Sequence, residues 1–178
     1  PTGHMKSQGT YKDFNPQMGS YRFIWNWGYD VISKASFIVD YAQKDGIDWT
    51  NPSDQNRVIA EAKFMRAWAY KYLVWSYGDI PLVTSAFTAP KTDFSRDPVA
   101  DIWDFIRTEL EFAVEYLPDT PKYPGKLTKA AGQHFLAETY LTLGENELAE
   151  QYAQAVIDNP NYSLMTERFG NFTSEPGD

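Results

Sequence analysis

The chain has 178 residues, 24 Asp and Glu against 16 Lys and Arg, a net charge of −8 and no cysteine. That balance excludes nucleic acid, which needs a basic face, and disfavours electrostatic docking onto anionic lipid. The missing cysteines remove any disulfide framework, thiol nucleophile or thiolate metal site, and no apolar run approaches the roughly 18 residues of a membrane span. The length suits one domain over residues 1–178, large enough to bury a core. The 6 Trp, 12 Tyr and 11 Phe suit both helix packing and stacking on sugar rings.

Residues 1–19 mix Gly, Pro, Asn, Gln and Ser without a period and predict a loop, with Tyr11, Phe14 and Met18 packed on helices beneath. A helix follows from Ser20, its expected cap, to Lys44, on Phe23, Trp27, Val31 and Ala35 at every fourth position. Residues 45–55 read as a turn region. The stretch from Glu61 to Tyr77 contains no Gly or Pro and predicts the central helix. Phe64, Trp68, Tyr72 and Trp75 share one face, Val58, Ala62, Met65, Ala69 and Leu73 a second, and Tyr70 and Val74 a third. With only Glu61, Lys63, Arg66 and Lys71 charged, this helix is expected to be wrapped by protein on all sides. An arginine there needs a partner. Glu61 and Asp79 are the nearest in sequence, so Arg66 is read as a buried structural ion pair fixing the turn beyond the helix. Gly78 is expected as a left-handed terminator and Pro81 as a stop.

Residues 82–97 lack a period and predict an extended segment. Asp97 is the expected cap of the next helix, with Pro98 at its first position and Ile102, Phe105, Ile106, Leu110, Ala113, Val114 and Leu117 as its apolar stripe; Leu117-Pro118 ends it. Thr128 caps a helix running to Leu143, Gly144 breaks it, and Glu147 to Asp158 forms another. This pair is similar to a tetratricopeptide unit, over about residues 126–164. Residues 169–178 read as loop.

No catalytic constellation emerges. His4 and His134 are too far apart in sequence to suggest a metal site, and no nucleophile elbow or phosphate-cradling glycine loop occurs. No metal, cofactor or catalytic residue is expected. Paired carboxylates, with Asp79, Asp93 and Asp97 as candidates, keep an α/α glycoside hydrolase as an alternative.

The segment Glu61-Ala62-Lys63-Phe64-Met65-Arg66-Ala67, followed by Tyr77-Gly78-Asp79-Ile80-Pro81-Leu82-Val83, resembles the signature of the SusD/RagB family, roughly E-A-[RK]-F-[LM]-R-A and then Y-G-[DG]-[VI]-P-L. The stretch from Arg96 to Pro118 and the close at Tyr162-Ser163-Leu164 are similar to further family segments. So is Trp27 to Ser36, where Ser36 replaces the family's usual Asn. The resemblance implies an all-α fold, an irregular α-α superhelix with tetratricopeptide-like helix pairs and long loops. It assigns Glu61, Phe64, Arg66, Ala67, Tyr77, Gly78, Asp79 and Pro81 to the structural motif.

Members of that family are outer-membrane lipoproteins of Bacteroidetes. They bind oligosaccharide or polysaccharide at the cell surface and sit on a SusC-like TonB-dependent transporter. The resemblance therefore implies a non-catalytic nutrient-binding component of such an uptake system, held on the membrane by a lipid anchor. Family members carry a signal peptide and lipidated cysteine and are considerably longer, so the chain is expected to be a portion of a longer protein, with a dimer or partner chains covering any helix left open. A helical-repeat adaptor binding a protein in a concave groove is the other alternative.

Sugar binding needs exposed rings for the apolar sugar faces and polar side chains for the hydroxyls. The N-terminal part supplies both, which makes Tyr11, Asp13, Asn15, Arg22, Trp25, Asn26 and Trp27 the candidate ligand-binding residues.

Overall fold

The computed structural model describes residues 19–87, 89–121 and 123–164, with the backbone alone for Ser20. Among the described residues the fold is all-α: α1 (Gly19–Ala42), α2 (Pro52–Tyr77), α3 (Val99–Tyr116), α4 (Lys129–Leu143) and α5 (Asn146–Ile157). Each helix packs on the one before it, so α2 lies between α1 and α3. The one strand-like feature among them is an isolated antiparallel bridge between Ile80 and Asp97.

The α2 helix starts nine residues before the expected Glu61. Asn51 is its cap, its side-chain oxygen accepting from the Ser53 N–H at 3.0 Å, and Pro52 opens the first turn. The Asn-Pro pair read as a turn is thus a helix start, where proline's missing N–H costs nothing. At the other end Gly78 has φ +70° and ψ −127°. The positive φ was expected, but ψ takes the residue outside the left-handed helical region into a conformation open essentially to glycine alone.

The α2 core is Ile59, Ala60, Ala62, Phe64, Ala67, Ala69, Tyr70, Leu73 and Val74, all buried. At the crossing with α1, a Cβ on Gly28 would stand 2.7 Å from Leu73 Cγ, so the helices approach at a distance only glycine permits. The expectation that α2 is wrapped on all sides fails on one flank. Met65 and Tyr72 are exposed and Trp75 is 57% exposed. An aromatic helix face resembles a buried one in sequence, yet Tyr and Trp tolerate water at one end.

Three cations of α2 are answered by other helices. Arg66 Nε donates to Glu109 Oε2 of α3 at 2.7 Å, and its Nη1 donates to Ser36 Oγ at 3.0 Å and to the Thr84 carbonyl at 2.8 Å. Lys63 reaches the other Glu109 oxygen at 2.7 Å, and Lys71 pairs with Glu138 of α4 between the rings of Trp75 and Phe135. The expected buried ion pair is present, but its acid is Glu109 and not Glu61 or Asp79. Glu61 instead takes Arg57 at 2.7 Å and Lys126 at 3.4 Å. Sequence proximity misled because the partner stands 43 positions on, on the apolar stripe of α3. Phe64 meets Phe135 edge-on at 5.2 Å and Ala67 is fully buried, so both motif residues serve packing.

The α3 start also differs. Pro98 is the cap residue without a side-chain bond. The Val99 N–H is taken by Asp79 Oδ1 at 3.0 Å, while Asp97 Oδ2 accepts from the Leu82 N–H at 2.7 Å. The turn's aspartate therefore caps the next helix from a distance. Thr128 caps α4 as expected, accepting from the Ala131 N–H, and Gly144 ends it with a left-handed residue. For α1, the first described residue, Gly19, is already helical, which places Ser20 inside the helix and not before it.

Candidate functional site

Residues 80–87 run extended beside α1 and α2 without a neighbouring strand, so their backbone groups must find side chains. Tyr29 of α1 donates its hydroxyl to the Pro81 carbonyl at 2.8 Å. The Tyr70 hydroxyl of α2 donates to the Val83 carbonyl at 3.0 Å and accepts from the Val83 N–H at 2.6 Å. Arg66 holds the Thr84 carbonyl, and Asp40 Oδ2 accepts from the Ala86 N–H at 2.7 Å. Burial pushes the hydroxyls of Tyr29 and Tyr70 well above the usual phenol range, and the nearby Asp97 carboxylate adds to this in both. Both remain neutral donors at physiological pH.

This pinned segment separates two adjoining spaces. The inner chamber, about 280 Å³, lies against α1 and is lined by Trp25, Tyr29 and Ile32 on one side and Val83, Phe87 and Phe94 on the other. The outer pocket, about 320 Å³, is lined by Thr84, Ser85, Lys91, Asp93, Ser95 and Asp97. They share Pro81, Val83, Ser85, Phe87 and Phe94. Phe87 and Phe94 meet edge-on at 5.5 Å, and each is nearly half exposed. The cleft thus combines rings for apolar ligand faces with hydroxyl, carboxylate and ammonium groups for polar ones.

Of the ligand-binding candidates from sequence, Trp25 alone among the described ones lines this cleft, while Asp93 and Asp97, weighed as paired carboxylates, line its outer pocket. Trp27 points elsewhere, meeting Trp68 at 5.1 Å and Tyr72 at 6.2 Å. Arg22 and Asn26 are exposed on α1, away from the cleft lining. Two helical positions apart, Trp25 and Trp27 face nearly opposite ways, so the helix splits a set that a loop would have gathered. Tyr11, Asp13 and Asn15 lie outside the described residues. Sequence reading missed Tyr29, Phe87, Phe94 and Lys91 and named Asp93 only as a possible paired carboxylate; the aromatics spaced across the aperiodic 82–97 segment were the available signal.

A second aromatic surface runs from Trp27 through Trp68 and Tyr72 to Trp75 and Trp103. Its neighbours Trp27, Trp68, Tyr72 and Trp75 meet at interplanar angles of 78° to 85°. The cleft, which adds Lys91, Asp93 and Ser95 to its rings, is the stronger binding candidate. Among the described residues, no group of three or more His, Asp or Glu is placed to hold a metal ion.

A family model described as SusD-like, starch-binding associating with outer membrane, matches residues 2–141. The chain is 34% identical over 138 residues to the SusD-like protein P2 of Formosa agariphila, covering 76% of this chain and 27% of that protein. It is 26% identical over 190 residues to a SusD-like protein of Bacteroides ovatus, covering 93% and 34%. Among solved structures, it is similar to a SusD superfamily protein from Parabacteroides distasonis, with TM-score 0.80, 25% identity, and 91% and 36% of the two chains covered. A crystal structure described with a xylogluco-oligosaccharide matches with TM-score 0.82, 24% identity, and 93% and 35% covered. This chain therefore spans about a third of the length of the relatives it matches.

Proposed function

The chain belongs to the SusD-like family, and from that premise we propose that it contributes a non-catalytic saccharide-binding site to an outer-membrane uptake system. The cleft between α1 and residues 81–94 carries the reading. It sets Trp25, Phe87 and Phe94 beside Lys91, Asp93 and Ser95, the two kinds of group a sugar requires. A similar structure described with a xylogluco-oligosaccharide supports the ligand class. Binding without turnover accords with the carboxylates after α2: Asp79 and Asp97 each commit an oxygen to a backbone N–H, which weakens the glycoside hydrolase alternative.

The family's description as associating with the outer membrane supports placement at that membrane; a lipid anchor and a SusC-like transporter as partner are proposed from the sequence resemblance. The packed α4–α5 pair is proposed as a tetratricopeptide-like unit, closed where the Thr128 and Tyr162 hydroxyls meet at 2.9 Å. Residues 1–178 are proposed as one helical domain. Affinity electrophoresis of the full-length protein against a polysaccharide panel tests the binding. Retardation by at least one neutral polysaccharide is expected, with Phe94→Ala, at the wall shared by both spaces, weakening it at least about tenfold, or 1.4 kcal/mol. Absence of retardation by every polysaccharide would favour the adaptor alternative.

A further inference from the structure

Resting on the cleft as the saccharide site, we propose that its ligand is a saccharide carrying an aromatic substituent, with the aryl ring in the inner chamber and the sugar in the outer pocket. Volume alone does not choose the occupant. The chamber offers about 280 Å³, and an apolar cavity of about 150 Å³ already takes benzene. Hydrogen bonding decides.

The chamber's polar groups are largely committed. Tyr29's hydroxyl donates to the Pro81 carbonyl, and both backbone groups of Val83 are held by Tyr70. The lining side-chain donors still open to a ligand are the hydroxyls of Ser33 and Ser85 and the indole N–H of Trp25. A pyranose carries several hydroxyls, each both donor and acceptor. Set against Ile32, Val83, Phe87 and Phe94, the hydroxyls turned to the chamber wall would lose water without gaining a partner. An aryl ring asks for no such partner and gains contact with Trp25, Tyr29, Phe87 and Phe94.

The outer pocket has the opposite character. Thr84, Lys91, Asp93 and Ser95 supply hydroxyl, ammonium and carboxylate groups that match sugar hydroxyls. The two spaces share Ser85, Phe87 and Phe94, so one ligand can extend across both, with its ester or ether linkage passing the Phe87–Phe94 pair. An aryl ester, aryl ether or aryl glycoside of a neutral sugar has this two-part chemistry.

Isothermal titration of the full-length protein with nitrophenyl glycosides, the matching methyl glycosides and free nitrophenol tests it. The nitrophenyl glycoside of the recognised sugar is expected to bind at least about tenfold more tightly than its methyl counterpart, or 1.4 kcal/mol. Ser33 is exposed on α1 at the chamber wall, so S33F should fill the chamber and abolish that gain. Equal affinities for the two series, or a gain that survives S33F, would overturn the inference while leaving the cleft as a saccharide site. Nitrophenol binding that no attached sugar improves would overturn the saccharide reading and this inference with it.

Discussion

Arg66 on α2 and Glu109 on α3 form an ion pair at 2.7 Å with each side chain 3% exposed, and the same guanidinium holds the Thr84 carbonyl at the cleft wall. Packing of the central helices and the position of the binding segment therefore depend on one buried cation. Arg66→Met should destabilise the protein by about 3 kcal/mol, because it leaves Glu109 buried with Lys63 alone. Combining it with Glu109→Leu should cost less than the two single changes summed, since neither charge is then stranded. Urea denaturation midpoints measure both effects. A loss below about 1 kcal/mol for Arg66→Met would show that the pair is not structural.

Gly28 and Leu73 define the α1–α2 crossing. Alanine is the better helix former by about 1 kcal/mol, yet Gly28→Ala should destabilise by about 1–3 kcal/mol, because its Cβ would meet Leu73 side-chain carbons at 2.7–2.8 Å. Leu73→Ala should itself destabilise by about 2–5 kcal/mol, but in that background Gly28→Ala should cost less, a coupling visible in a double-mutant cycle of thermal unfolding.

The helices were legible where apolar spacing, caps and breakers agree. Thr128, Gly144 and Leu117-Pro118 lie at the helix ends where their chemistry placed them. Relationships between helices were not legible. Glu109 stands among Ile102, Ile106, Leu110 and Ala113 on a buried face, and a lone acid in such a stripe signals a cation elsewhere, but its sequence does not say which. The cleft was half legible. Trp25 could be named from its ring, whereas Phe87, Lys91, Asp93 and Phe94 lie in an aperiodic stretch whose path is set by Tyr29, Asp40, Arg66 and Tyr70 on other elements.

Those tyrosines give the fold an alkaline limit. Tyr29 and Tyr70 have hydroxyls raised above the ordinary value of 10.0 by burial. The native chain thus keeps protons that the unfolded chain releases. Their contribution is complete below about pH 10 and is lost as pH rises from there through the raised native values. Denaturation midpoints should hold steady through neutral pH and fall above about pH 10. Tyr70→Phe should lower the midpoint at neutral pH, by about 1 kcal/mol for the lost hydrogen bonds, and flatten the alkaline fall. An equally steep fall in that variant would assign it to other groups.

Thr128 begins α4 and bonds to Tyr162 beyond α5. Thr128→Ala should cost about 1–2 kcal/mol, the range of a lost helix cap. Thr128→Ser, which keeps the hydroxyl, should retain most of the stability. Hydrogen exchange at the first turn of α4 reads the local effect.

That the cleft and not the outer aromatic surface takes the ligand is tested by the tryptophan indole resonances of the whole protein during titration with the nitrophenyl glycoside of a sugar it retains. The Trp25 indole signal should shift in proportion to saturation while those of Trp27, Trp68 and Trp75 stay fixed. Shifts at Trp27, Trp68 or Trp75 with Trp25 unmoved would contradict it.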